Sequence, residues 1–154
     1  MLSQVLFIIG ASICGLLGFV HLVYTFFTNK FNPYNPDVME AMESTTANIT
    51  KETTIWRAWV GFNASHSLGV IFFAAIYIPL AFSHIQFIAN NNWFAVLPSI
   101  IGISYLILAK NYWFKIPFFG ILISTICFIM AFFLINIQKS NYVKDVIRDK
   151  LRLI

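Results

Sequence analysis

The chain has 154 residues, of which 59% are hydrophobic and only 10% charged, with a net charge of +4 and a mean hydropathy of +0.78. A water-soluble domain carries about 25% charged residues, so the composition excludes one and predicts a single all-α domain embedded in a membrane. The basic excess lies in loops and one tail beside apolar stretches, which excludes a nucleic-acid partner and favours membrane lipids.

The first predicted span covers residues 5–27. It is longer than the 7–15 residue core of a signal peptide and no Lys or Arg precedes it, so it reads as a retained transmembrane helix. Gly10, Cys14, Gly18, His21 and Thr25 share one of its faces. A long connection follows. Asn35 offers a helix N-cap, Pro36 suits the first helical position and Asp37 suits the positive helix end. They predict a short interfacial helix over Pro36–Ser44, edged by Val38, Met39 and Met42. Thr50 or Asn48 is the expected cap of the next helix.

The second span covers 56–82, with Pro79 offering a kink. Residues 83–92 read as a short uncharged loop. The third span covers 93–109 and ends in a tight basic, aromatic turn from Lys110 to Lys115. The fourth covers 116–137, with Gly120, Ser124, Cys127 and Ala131 along one face. Both cysteines, Cys14 and Cys127, fall inside spans and read as small packing residues. The tail, 138–154, places Val143, Ile147, Leu151 and Ile154 on one face among basic residues, so it reads as an amphipathic helix on the membrane surface. The expected architecture is an antiparallel four-helix bundle. Four spans put both termini on one side. Lys and Arg are nearly balanced between the two sides, and the compact basic tail points to cytoplasmic termini.

Residues 55–70, IWRAWVGFNASHSLGV, concentrate the polarity of the spans. Trp56, Trp59, Asn63, His66 and Val70 follow a heptad seam, with Ser67 beside them. On the opposite side Gly61, Ser65 and Gly69 form a small-xxx-small ridge, suited to close helix contact. Trp56, Arg57 and Trp59 suit interface anchors. In antiparallel spans His21 and His66 reach a similar depth, about 9 Å below the boundary on the long-loop side. Intramembrane ionisable residues raise a site hypothesis.

Two readings follow from these residues. In one, His21, Asn63 and His66 hydrogen-bond within the bundle, and the protein is a non-catalytic subunit or interaction protein that joins other membrane subunits, or itself, through its small-residue seams. In the other, it is an enzyme or ligand-binding protein for a lipid-like substrate. His66 and His21 are then the catalytic candidates, lined by Trp56, Arg57, Trp59, Asn63 and Ser67, with Arg57 anchoring an anionic headgroup. No cofactor is predicted. A haem ligated by both histidines, with Gly15 and Gly18 making room, is the alternative weighed. No metal site is predicted either, since one needs three or more ligands and no carboxylate lies inside a span.

The run ETTIWRAWVGFNASHSLG at 52–69, preceded by GFVHLVYTF at 18–26, resembles a small uncharacterised bacterial family of four-transmembrane-helix proteins with a WRAWxGFNxSHSLG run. The resemblance implies the same topology and a bacterial inner-membrane setting, and supplies no catalytic residues. The outline departs from quinone-linked disulfide enzymes, having no loop cysteines, and from sterol-isomerase-like folds, having no intramembrane carboxylates.

Overall fold

Long apolar runs with few helix breakers leave the backbone one economical solution in lipid. Every N–H and C=O must be satisfied inside its own segment, and a helix does this. The structure, a computed structural model, describes residues 1–152, apart from the side chain of Asp149. It is all α: α1 (Leu2–Phe27), α2 (Pro36–Ser44), α3 (Ile55–Ser83), α4 (Ile85–Asn90), α5 (Asn92–Tyr112) and α6 (Lys115–Arg152). Among the described residues α1, α3, α5 and α6 are long and apolar enough to cross a membrane, the signature of a multi-pass membrane protein.

The chain forms two compact units, residues 1–14 with 74–154 and residues 15–73. In the first, helices pack through small residues. Phe7 meets Phe128 with ring centroids 6.2 Å apart, while Ser124 Oγ donates to the Gly10 carbonyl at 2.6 Å and lies 3.0 Å from Cys14 Sγ. Residue numbers fall along α6 as they rise along α1, so the two run antiparallel. Gln4 Nε2 donating to the Phe82 carbonyl at 2.9 Å, with the Phe7–Tyr77 stack, sets α1 antiparallel to α3 in the same way. Gly102 lies against Thr125, and Lys139 Nζ donates to Asn92 Oδ1 at 2.9 Å, which makes α5 and α6 antiparallel too. Both cysteines are buried and free.

In the second unit Asn35 Oδ1 accepts from the Asp37 amide at 3.0 Å, starting α2 where its cap and proline predict. The loop ends are drawn together by the Thr46–Thr54 bridge and by the Ile55 amide donating to the Thr45 carbonyl. Here the sequence expectation needs correction. Thr54 caps α3, its Oγ1 accepting from the Arg57 amide at 3.3 Å, whereas Thr50 Oγ1 accepts from Glu52 and closes a turn.

Two other expectations change. The loop at 83–92 contains the two-turn helix α4, whose Ile88 is buried, and Asn91 caps α5 by accepting from the Trp93 amide. The tail is no separate helix but the continuation of α6. After Gly120 no Gly or Pro occurs, so nothing in the polar run 138–141 breaks the ladder. Its apolar residues Val143, Ile147 and Leu151 are exposed. Ile154, the last member of that predicted face, lies outside the described residues.

Candidate functional site

The polar face of α3 meets α1 within the second unit, residues 15–73. The approach is made possible by Gly18. A Cβ there would lie 3.0 Å from the Ser67 carbonyl oxygen and 3.2–3.3 Å from Ile71 and Val70 side-chain atoms. With α1 held that close, His21 Nε2 reaches Asn63 Oδ1 at 2.9 Å.

The donors and acceptors can be assigned from chemistry. Asn63 Nδ2 donates to the Trp59 carbonyl at 2.8 Å. That turns the amide oxygen towards His21, and an amide oxygen only accepts. His21 Nε2 therefore carries the proton and donates it. Ser67 Oγ donates to the Asn63 carbonyl at 2.8 Å, and Thr25 Oγ1 donates to the His21 carbonyl at 2.8 Å. Asn63 and Ser67 are both buried. The His66 ring stands edge-on to His21, centroids 5.5 Å apart, and stacks with Phe62 at 6.4 Å.

The long connection supplies a residue that sequence reasoning missed. Phe31 lies 4.4 Å from the His21 ring, centroid to centroid, and its carbonyl accepts from Trp59 Nε1 at 3.2 Å. The signal available was an aromatic residue shortly after the first span, at the head of the run FNPYNP. Trp59 thus ties the turn to α3 from a partly exposed position.

Of the predicted site residues, the structure brings together His21, Trp59, Asn63, His66 and Ser67. Trp56 is half-buried in the first turn of α3. Arg57 is exposed and is not brought to the histidines: nine residues before His66, it falls about 180° around the helix. An anion anchored by Arg57 would sit on the far side of α3 from His66.

Chemically, the arrangement binds helices together. A general base needs a free acceptor nitrogen within reach of a substrate proton; with Nε2 donating to Asn63, the acceptor nitrogen of His21 is Nδ1. A haem ligated by both imidazoles would need one free nitrogen on each ring and a gap between the helices. The rings contact each other edge-on, His21 Nε2 is engaged, and the gap expected from Gly18 is filled by the α3 backbone. Among the described residues, no three His, Cys, Asp or Glu side chains converge as a metal site would require. Two surface clefts lie elsewhere: one of about 370 Å³ between α2 and the start of α3, near Val38 and Met42, and one of about 360 Å³ at the α5–α6 turn.

Compared with protein-family models, curated proteins and solved structures, the chain matches none.

Proposed function

We propose that this chain is a non-catalytic helix-bundle membrane subunit that acts by helix–helix association, joining a second copy or another membrane subunit through the ridge Gly61, Ser65 and Gly69. The setting proposed is a bacterial inner membrane, in keeping with the resemblance of the 56–69 run, with both termini cytoplasmic beside the basic tail.

One observation carries this reading. The small-residue faces of α1, α5 and α6 are taken up inside the chain, with Gly10 against Phe128, Cys14 against Ser124, Gly18 against Ser67 and Gly102 against Thr125. The ridge of α3 is not. Gly61, Ser65 and Gly69 are exposed, and nothing lies within 4 Å of a Cβ built on either glycine. Phe62, Leu68 and Phe72 are exposed beside it. In lipid, such a ridge gains from close backbone approach and gains little when it faces acyl chains. The hydrogen bond from His21 to Asn63, which links α1 to α3, supports the same reading.

The test is cysteine crosslinking in membranes. Both native thiols are buried, so Ser65→Cys adds one accessible thiol at the centre of the ridge. A dimer or a discrete larger adduct is expected on oxidation, and Gly61→Ile with Gly69→Ile should abolish it. If Ser65→Cys crosslinks no better than Ser104→Cys, exposed on α5, the ridge has no partner and the proposal fails.

A further inference from the structure

The turn between α5 and α6 forms a cleft of about 360 Å³, within the 300–1,000 Å³ range of small-molecule sites. It is walled by Trp113, Phe114, Phe118 and Phe119, with Lys110 and Lys115 at its edge. Trp113 ends α5, its amide donating to the Ala109 carbonyl at 3.1 Å, and its ring lies 6.0 Å from that of Tyr105. The aromatic wall is thus fixed by helix geometry.

Among the described residues of this unit, no acidic side chain pairs with either lysine. Both are exposed, and among the described residues neither forms an ion pair. No Asp or Glu occurs between Glu52 and Asp145. Asp145 is about 30 residues, or roughly 45 Å, further along α6, and it pairs with Arg148 at 3.4 Å. The first turn of α6 also carries no acidic residue.

The position in the chain completes the case. Apolar residues run up to Ala109 on α5 and resume at Ile116 on α6. Ammonium groups therefore meet aromatic rings at the level where hydrocarbon gives way to headgroups. A ligand matching this cleft has an anionic head and an apolar body.

We infer that the α5–α6 cleft is a binding site for one anionic phospholipid. Lys110 and Lys115 hold its phosphate, and Phe114, Phe118 and Phe119 receive the start of its acyl chains. This is independent of the α3 ridge.

The test is native mass spectrometry of the full chain in mild detergent, titrated with phosphatidylglycerol or with phosphatidylcholine of the same acyl chains. At roughly fivefold per lysine, one phosphatidylglycerol should be held about 30-fold more tightly than phosphatidylcholine. Lys110→Gln with Lys115→Gln should level the two lipids, and Lys144→Gln with Lys150→Gln on the tail should not. Because both turn lysines are exposed, the double variant is expected to fold, which gel filtration checks. Equal retention of both lipids by the unaltered chain overturns the assignment. So does a preference that survives the turn variant or falls equally in the tail variant. Glycerol phosphate, the same head without chains, should compete poorly. If it displaces phosphatidylglycerol as well as added lipid does, the cleft is a free-phosphate site and the lipid assignment is wrong.

Discussion

Helix α1 is joined to its neighbours by two different chemistries. In the first unit, residues 2–14 meet α6 through glycine, thiol and hydroxyl, with Ser124 Oγ on the Gly10 carbonyl and a buried phenyl ring against Gly10. In the second, residues 15–27 meet α3 through an imidazole and an amide, next to the close contact at Gly18. In lipid there is no hydrophobic drive between helices, so packing and hydrogen bonds must supply the attraction. The glycine contact gains by closeness and tolerates no added volume. The imidazole–amide contact, beyond the closeness Gly18 allows, also fails if one polar partner is left alone.

The sharpest way to break this contrast is to add volume in each region. A Cβ at Gly102 would lie 2.6 Å from Thr125 Oγ1 and 3.3 Å from the Thr125 Cα, while one at Gly61 meets nothing. Gly102→Val should therefore cost about 3 kcal/mol, the upper part of the usual overpacking range. Gly61→Val should leave the thermal unfolding midpoint in detergent unchanged. Equal losses would mean that close packing in the first unit is not what holds it.

A smaller effect is expected from removing polarity in the second unit. His21→Phe and Asn63→Leu should each destabilise. Their double-mutant cycle should show a coupling of about 0.6–1.7 kcal/mol, the range for hydrogen bonds between membrane helices. Additive losses would leave the two side chains energetically independent and remove the bond from the account of how α1 and α3 hold together.

These two contacts were unequally legible in the sequence. Heptad spacing put Asn63, His66 and Val70 on one face of α3, and small-residue spacing put Gly18 and His21 on one face of α1. The structure joins those faces, because helical periodicity fixes which residues point together. Periodicity does not say which face has a neighbour. The ridge Gly61, Ser65 and Gly69 has the same pattern as Gly10, Cys14 and Gly18, yet only the second is covered within the chain. The cap at Thr54 was hidden among several Thr and Asn residues, all of acceptable cap chemistry. Helix α4 is too short for a period to show, and α6 runs on because polarity alone does not end a helix that lacks Gly and Pro. Phe31 was invisible for another reason. Its contact with His21 is set by the path of a turn, which no helical spacing encodes.

The smallest expected effect tests that turn. Trp59→Phe keeps an aromatic ring at the membrane boundary but removes the N–H that reaches the Phe31 carbonyl at 3.2 Å. The bond is partly exposed, so its net worth is about 0.5–1 kcal/mol, too little to move global unfolding far. The effect should be local. With the carbonyl released, Phe31 keeps its ring contacts with His21 and Tyr24, and amides across 28–35 should exchange with solvent several-fold faster. Exchange at α2, which is capped by Asn35 within its own segment, should not change. If exchange across 28–35 stays as in the unaltered chain, Trp59 is an interface anchor with no hold on the turn. The second unit would then rest on the imidazole–amide contact, Gly18 and the Thr46–Thr54 bridge.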